Sequence, residues 1–436
     1  MNDIRHNAGA SHSHIHSHEG HPHTHSHAGG WHSHSHPEFT RRTFCSTILP
    51  CILLAPYAFP QEREDKAEKF RKMSLEYERK GLAEPFKGVT TNGMVESGLF
   101  GIHSTGVSTA PVRNAAERFL TSLTKEQRDR AMFAVDDPEW RKWMNQHFYV
   151  RQGVSFKEMT DEQRTTGFGL LEAALSARGL KLTRDIMRLN ETLAELANDH
   201  EFLGEWLYFI TVMGKPSATE PWGFQLDGHH AIINYFVLGD QVVMTPFFAG
   251  SEPVIATSGK YAGVSVLQDE QNQGLAMLLA LDGAQSAKAI LNSSKTQNYN
   301  LGEAFKDNLV LDYAGARAVE FRAPQRKQFL ELVDLYVGNM DEGHARVKMD
   351  EVKRHIDNTW FAWIGGSDAT SVFYYRIHSP VILIEFDHQL PANLRQFAKD
   401  PTLPTRQHIH CVVRTPNGND YGKDLLRQHY LAHPHG

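Results

Sequence analysis

The strongest constraint on the fold comes from three stretches, residues 206–250, 359–388 and 407–414, in which bulky and β-branched residues alternate with a period of two. This alternation is typical of strands that bury one face against a core. Residues 110–197 and 324–357 instead repeat apolar residues at helical spacing. The order of helices, strands, helices and strands predicts an α+β fold. We expect a mainly antiparallel sheet with a helical half, in a single large two-lobed domain.

Local signals predict several element ends. Thr124 and Thr160 are each followed three residues later by Gln, the pattern of a capping box that opens a helix. We expect the helix after Thr160 to end at Gly179, and another helix to begin at Thr183. Gly239-Asp240, between two apolar runs, predicts a hairpin turn. The apolar stripes of these helices are interpreted as core.

The N-terminal tail, residues 1–40, is rich in histidine: twelve of the 26 histidines lie in the first 36 residues. Because Ser, Gly, Pro and Ala separate them and apolar residues are scarce, we predict that this tail is disordered. Dense imidazoles bind borderline divalent metals such as zinc, nickel and copper. Metal delivery is therefore one interpretation of the tail, and an inert metal-binding extension is the other.

Residues 41–60 begin with Arg41-Arg42 and continue into an uncharged apolar run. An arginine pair before a short apolar run is typical of a twin-arginine export signal, which predicts a periplasmic or extracellular protein. The alternative is a buried apolar helix. The run is too short to span a bilayer comfortably, and we predict no stable membrane span beyond it. Residues 61–109 are interpreted as a linker with a helical lead-in, and residues 110–436 as the folded domain.

Composition excludes several classes. Apolar residues make up 41% and charged residues 22%, as in ordinary globular proteins. A net charge of -6 gives no indication of nucleic-acid binding. Cys45 and Cys51 fall in the predicted export segment, and Cys411 alone cannot build a disulfide framework or a cysteine-based zinc site. The chain also lacks the G-x-S-x-G, Walker, G-x-G-x-x-G and H-E-x-x-H motifs.

Histidines interrupt the strand patterns at two places. His408-Ile409-His410 places two imidazoles on one face of a strand, about 6.5–7 Å apart along the backbone. In Asp227-Gly228-His229-His230, neighbouring residues of a strand point to opposite faces. At most one of His229 and His230 therefore faces a shared pocket, unless Gly228 permits a bulge.

Two carboxylates, Glu385 and Asp387, share one face of another strand. Together with the histidines they predict a mononuclear site for zinc, copper, iron or manganese. His229 or His230, with His408 and His410, would be ligands, and Glu385 the fourth ligand or general base. Asp387 would orient one imidazole. The alternative is that these histidines hydrogen-bond in a polar groove or pair with the two carboxylates.

Further polar residues are candidates for binding a small-molecule substrate whose identity the sequence does not indicate. Arg376 and His378 share a face, and Arg376 can bind a substrate carboxylate or phosphate; the alternative is an ion pair with Glu385 or Asp387. Trp222 and Gln225 lie on the same predicted strand as the His229-His230 pair and are expected, like His378, to contact the substrate.

Three segments, PWGFQLDGHHAIINY, YYRIHSPVILIEFD and HIHCVVRTPNGNDYGKDLLRQHY, resemble the DUF3500 family of bacterial and fungal proteins. The resemblance covers roughly residues 110–433. It implies a common fold and a common polar groove, and similar proteins often look exported, but it implies no activity. The chain departs from the family pattern at Phe386, where the family has Tyr, and at His388, where it usually has Asn. A longer insertion before His408 changes the expected entrance loop.

The leading hypothesis is an exported mononuclear metalloenzyme, hydrolytic or oxidative. The alternative is a periplasmic metal-handling or small-ligand-binding protein without catalysis. A third hypothesis is a metal-free hydrolase in which Glu385 and Asp387 form a general acid/base pair.

Overall fold

The computed structural model describes residues 60–433, which belong to one compact unit, Ala58–Gly436. The predictions for the histidine-rich tail and for nearly all of the export segment lie outside these residues. The described α-helices are α1 (Pro60–Gly81), α2 (Ala110–Ser122), α3 (Lys125–Ala131), α4 (Asp161–Ala174), α5 (Ala177–Ala197), α6 (Gln268–Ala280), α7 (Gly283–Ala289), α8 (Ala323–Val337), α9 (Glu342–Arg354) and α10 (Lys423–Ala432).

Both predicted capping boxes are confirmed. The Thr124 hydroxyl accepts a hydrogen bond from the Gln127 amide at 3.2 Å, and the Gln127 side chain accepts one from the Thr124 amide at 3.0 Å. Thr160 and Gln163 form the same reciprocal pair at the start of α4. These two helices therefore begin where the sequence pattern places their N-caps.

The predicted boundary at Gly179 is wrong. Helix α4 ends at Ala174, and α5 begins at Ala177 behind the N-cap Ser176, so that Gly179 and Thr183 both lie inside α5. Gly179 is a residue of close approach, because a Cβ there would lie 2.1 Å from the backbone oxygen of Asn339. Packing against a distant segment explains this glycine, and sequence spacing cannot reveal it.

The described strands form one continuous sheet. They are β1 (Met132–Phe133), β2 (Val154–Ser155), β3 (Tyr208–Met213), β4 (Trp222–Gly228), β5 (Ala231–Leu238), β6 (Gln241–Val243), β7 (Phe247–Ser251), β8 (Ile290–Asn292), β9 (Ala316–Arg317), β10 (Trp360–Gly365), β11 (Phe373–His378), β12 (Leu383–His388) and β13 (Ile409–Arg414).

The strand order is β1-β3-β4-β5-β7-β13-β12-β11-β10-β8, with β2, β6 and β9 paired to β3, β5 and β10. The β1–β3 and β8–β10 pairs are parallel, and the other pairs are antiparallel. The predicted α+β class and mainly antiparallel sheet are thus confirmed. The predicted turn at Gly239-Asp240 is also confirmed, since it joins β5 to β6.

The two faces of the central strands differ in chemistry. One face packs an apolar core against the helices, with residues such as Phe224, Tyr235 and Phe386. The opposite face carries polar and charged side chains from β4, β11, β12 and β13. Arg151 of the segment 144–151 donates to Asp227 on that polar face, and the segment 295–303 hydrogen-bonds to Glu385 and Asp387 there. None of the helices described here has the length and apolar character needed to cross a membrane.

Candidate metal centre

The His229-His230 pair forms the turn between β4 and β5, and the strand prediction for these two residues is therefore wrong. His230 has φ 66°, in the left-handed region that costs an L residue about 1–2 kcal/mol. The Tyr208 hydroxyl donates to the His229 carbonyl at 2.7 Å, and the His230 amide donates to the Asn145 carbonyl at 3.2 Å. These bonds hold the strained turn in place.

Gly250 on β7 brings the turn against β13. Its amide donates to the His230 carbonyl at 2.8 Å, and it is the cross-strand partner of His410. A Cβ at Gly250 would lie 3.1 Å from Cδ2 of both His230 and His410, and 2.8 Å from the Ile409 carbonyl oxygen. Because glycine has no side chain, both imidazole rings can lie over this point of β7.

Three imidazoles converge here: His230, His408 and His410. One nitrogen from each ring lies within 4.8 Å of the others, and each residue is at most 5% exposed. The Nε2 atoms of His408 and His410 are 3.0 Å apart. The rings of the His-x-His pair thus lean toward each other, closer than their backbone spacing, and the group can hold a metal ion.

Hydrogen bonds at the far side of two rings determine their tautomers. His408 Nδ1 lies 2.7 Å from the Leu390 carbonyl, which can only accept, so Nδ1 carries the proton. His410 Nδ1 lies 2.6 Å from the Glu303 carboxylate, and an ionised carboxylate imposes the same tautomer. In the neutral rings both Nε2 atoms then carry lone pairs that face each other. A shared metal ion removes this repulsion, and so does a proton on Glu303, because it shifts the His410 proton from Nδ1 to Nε2.

The spacing of the two nitrogens fits a shared metal ion. With metal–nitrogen bonds of about 2.05 Å, two ligand nitrogens lie about 3.3 Å apart in a tetrahedron and about 2.9 Å apart at right angles. The 3.0 Å separation of His408 Nε2 and His410 Nε2 falls between these values. His230 can offer a third nitrogen, since one of its ring nitrogens lies within 4.8 Å of the other two ligand atoms and neither makes a hydrogen bond within residues 60–433.

Burial keeps two of the three imidazoles, His230 and His410, neutral. It lowers the pKa of His230 well below the usual value, and the neighbouring His410 and His408 lower it further. Burial also lowers the pKa of His410 well below the usual value, with the neighbouring His408 adding to the effect. A neutral ring keeps a lone pair for a metal near neutral pH.

Glu303 is the carboxylate partner of the cluster, and it lies in the segment 295–303. It accepts a second hydrogen bond from Asn300 Nδ2 at 3.1 Å and a longer one from Asn145 Nδ2 at 3.4 Å. Burial raises the pKa of Glu303 to about 7, although its side chain remains 24% exposed. A carboxylate at the outer nitrogen of a ligating histidine fixes the ring and increases its basicity.

Glu385 and Asp387 do not join the three imidazoles. The Glu385 carboxylate accepts hydrogen bonds from the Gly302 amide at 2.7 Å, the Leu301 amide at 3.1 Å and the Tyr374 hydroxyl at 2.7 Å. Glu385 therefore holds the backbone next to Glu303 in place.

Asp387 anchors the same segment. Its carboxylate accepts hydrogen bonds from the Tyr299 amide at 2.7 Å and the Gln389 side chain at 2.6 Å, and forms an ion pair with Lys295 at 2.7 Å. Asp387 is also the cross-strand partner of His410, but its hydrogen bonds go to the segment and not to an imidazole. Asp387 is thus connected to the imidazoles only through the segment 295–303, which also carries Glu303.

The remaining predicted site residues lie elsewhere. His229 stacks on His230 with ring centroids 3.9 Å apart, but its Nδ1 pairs with Asn190 Oδ1 at 2.8 Å, and it does not belong to the three-imidazole group. Trp222 belongs to the apolar face. Gln225 donates to Asn234 Oδ1 at 2.7 Å inside the sheet.

Arg376 and His378 share a face of β11, as predicted, but they are separate from the imidazole group. Arg376 makes no ion pair with Glu385 or Asp387; its Nη2 donates to the Asp312 carbonyl at 3.2 Å. His378 is 1% exposed and contacts the Tyr313 ring.

Sequence reasoning missed Glu303 and Glu252. Glu303 lies in a stretch without helix or strand periodicity. Glu252 accepts hydrogen bonds from the Ala392 and Asn393 amides at 2.8 and 2.7 Å, and so anchors the insertion that carries Leu390. Both carboxylates bind segments more than a hundred residues away, and no spacing in the sequence indicates such contacts.

Comparison with known proteins gives one match. The family model described as "Protein of unknown function (DUF3500)" matches residues 105–423. No curated protein and no solved structure matches.

Proposed function

The chain belongs to the DUF3500 family of proteins of unknown function, and from the geometry of its imidazole cluster we propose that it is a mononuclear metal-dependent enzyme, hydrolytic or oxidative. The observation that carries the proposal is the 3.0 Å approach of His408 Nε2 and His410 Nε2, with both Nδ1 atoms committed to acceptors. His230, His408 and His410 are the proposed ligands of zinc, copper, iron or manganese.

Three protein ligands leave a coordination position for water or substrate, as in catalytic zinc sites. Because all three ligands are neutral, the charge of a divalent ion remains uncompensated in a buried site. Such an ion lowers the pKa of bound water and polarises a substrate oxygen. Glu303 holds His410 by its outer nitrogen and retains partial exposure, so it is the proposed site of proton exchange with solvent.

The placement of Glu385 and Asp387 disfavours the metal-free hydrolase. Their oxygens accept hydrogen bonds from backbone amides of the segment 299–302, and Asp387 also pairs with Lys295. A general acid/base pair needs an oxygen that reaches the substrate.

A metal-handling protein without catalysis remains the second candidate, and the histidine-rich residues 1–40 favour it. The two proposals differ in how fast the bound metal exchanges and in whether the protein accelerates a reaction. An enzyme retains its metal through dialysis, whereas a carrier releases it to a chelator within minutes and accelerates no reaction.

The test begins with metal loading of the protein with zinc, copper, iron and manganese in turn. Each form is then assayed for hydrolysis of p-nitrophenyl acetate and p-nitrophenyl phosphate, and for oxygen consumption with catechol. Activity that needs the metal and is lost in His408→Ala/His410→Ala supports the enzyme. The exposed-histidine variant His200→Ala is the matched control.

We also propose export by the twin-arginine route, supported by Arg41-Arg42 and the apolar run that follows. Cell fractionation of wild type and of Arg41→Lys/Arg42→Lys tests it. Wild-type protein in the periplasm and variant protein in the cytoplasm are expected; equal distribution of the two contradicts export by this route.

A further inference from the structure

Strand β11 carries a second group of buried polar atoms, distinct from the three imidazoles. Arg376 is 6% exposed and His378 is 1% exposed. Arg376 Nε and both ring nitrogens of His378 have no hydrogen-bond partner in the described chain. Buried polar groups are nearly always paired, so three orphaned nitrogens on two side chains of one strand face indicate a missing partner.

The positive charge of Arg376 indicates which kind of chemical group is missing. No carboxylate of the described residues lies within ion-pair distance of this guanidinium. The cross-strand partner of Arg376 is Glu385, whose carboxylate oxygens accept hydrogen bonds from the Tyr374 hydroxyl and two backbone amides. A buried guanidinium is stable only when it is paired and hydrogen-bonded. Arg376 is hydrogen-bonded at Nη2 and feels the charge of Glu385 across the strands, so the group missing at Nε is a hydrogen-bond acceptor, and an anion is the strongest such acceptor for a guanidinium.

The side chains next to Arg376 and His378 limit which ligand can bind there. The Tyr313 ring lies 4.6 Å from the His378 ring and stacks on Trp360 at 4.1 Å, with an angle of 4° between the ring planes. The Tyr313 ring therefore covers one side of His378. Glu385, the nearest acidic neighbour across the strands, opposes a second negative charge on the ligand.

We infer that Arg376 and His378 form a binding site for a monocarboxylate, whose oxygens accept hydrogen bonds from Arg376 Nε and from a His378 N–H beside the Tyr313 ring. A planar carboxylate matches the fork of a guanidinium, and one negative charge balances one buried cation.

This site is separate from the proposed metal centre. Tyr374, Asp387 and His410 are neighbours across β11, β12 and β13, which puts Arg376 and His410 about 12 Å apart by strand spacing and rise. Between them lie Glu385 and Asp387, whose carboxylates are covered by the backbone of residues 299–302. A ligand at Arg376 therefore does not share space with a metal at His410, and the inference does not depend on the proposed function.

Equilibrium dialysis of the full chain against [14C]acetate tests the inference, with EDTA present so that no metal binds the probe. One equivalent of acetate is expected on the wild type, with binding at least tenfold weaker in Arg376→Gln and at least fivefold weaker in His378→Asn. His408→Ala/His410→Ala keeps wild-type binding, as does Arg406→Gln, a part-buried arginine elsewhere in the domain that serves as the matched control.

Acetate binding that survives in folded Arg376→Gln, or phosphate that displaces acetate at equal concentration, overturns the inference. If neither variant folds, wild-type crystals soaked in acetate decide. An acetate within hydrogen-bond distance of Arg376 Nε and His378 supports the site, and a water molecule alone in that place overturns it.

Discussion

The Nε2 atoms of His408 and His410 lie 3.0 Å apart, and the hydrogen bonds at their Nδ1 atoms leave both Nε2 lone pairs facing each other. Two neutral imidazoles avoid this arrangement unless a cation joins them, or unless a protonated Glu303, whose pKa is raised to about 7, moves the His410 proton to Nε2. His230, whose ring nitrogens make no hydrogen bond within residues 60–433, brings the group to three nitrogens. This relationship is the reason for the proposed metal centre and for the predictions that concern it.

Glu303→Gln is expected to weaken metal binding about 10–100-fold, because loss of an acidic partner of a ligating histidine has effects of this size. The amide oxygen still accepts the His410 Nδ1–H but without the charge that increases the basicity of the ring. Competition with a chromogenic zinc chelator measures the affinity. Glu320→Gln, which removes an exposed charge from the Lys288 pair, is the control. Equal affinities in all three proteins would contradict the role of Glu303.

Gly250→Ala is expected to destabilise the fold by about 1–3 kcal/mol and to reduce metal binding, because the new methyl group crowds His230, His410 and the Ile409 carbonyl. Gly169→Ala is the matched control. It lies inside α4 with nothing within 4 Å of the added Cβ, so helix propensity alone predicts a gain of about 1 kcal/mol. Urea unfolding measures both, and a neutral Gly250→Ala would show that the rings do not need this approach.

Lys295→Met is expected to cost about 1–3 kcal/mol, since the buried Asp387 carboxyl loses its cation and takes up a proton instead, which weakens its hydrogen bonds to the amides. Burial already raises the pKa of Asp387 to about 7, against the opposing effect of Lys295. The variant should also bind metal more weakly, because Asp387 anchors the segment that carries Glu303. Chemical denaturation and the chelator assay give the two results. A stable variant with weakened metal binding would separate anchoring of the segment from overall stability.

His378→Gln provides a pH test. Burial lowers the pKa of His378 to about 3, with the nearby Arg376 adding to the effect. Below about pH 6.5 the unfolded wild type takes up a proton on His378 that the folded state refuses, so its unfolding free energy falls as the pH falls. The variant lacks this loss.

The unfolding free energy of His378→Gln relative to wild type should therefore rise by about 3 kcal/mol between pH 6.5 and pH 4, at about 1.4 kcal/mol per pH unit. Above pH 6.5 the difference should be constant. Taking the difference between the two proteins cancels the other groups that titrate, and a constant difference throughout would mean that His378 is protonated in the folded protein.

Local patterns predicted much of the fold and part of the site. Alternation with a period of two placed His408 and His410 on one face, and capping boxes located two helix starts, because both effects act within a few residues. The position of His230 was not predicted, because the pattern of Gly228-His229-His230 resembles a strand. The strand ends there because Gly228 packs closely against the Tyr208 ring and His230 adopts a left-handed φ, and neither feature is visible in the sequence. Glu303 depends on contacts across the chain with Asp387 and His410, which no local pattern encodes.

Elemental analysis of the unit Ala58–Gly436, which excludes the histidine-rich tail, tests the central claim most directly. The account predicts one equivalent of zinc, copper, iron or manganese after loading and dialysis, lost in His408→Ala/His410→Ala and retained in His200→Ala. The same difference of one equivalent should separate the two full-length proteins. A folded unit that holds less than a stoichiometric metal under every loading condition would contradict the account. The two imidazoles would then share a proton with Glu303 instead of a metal.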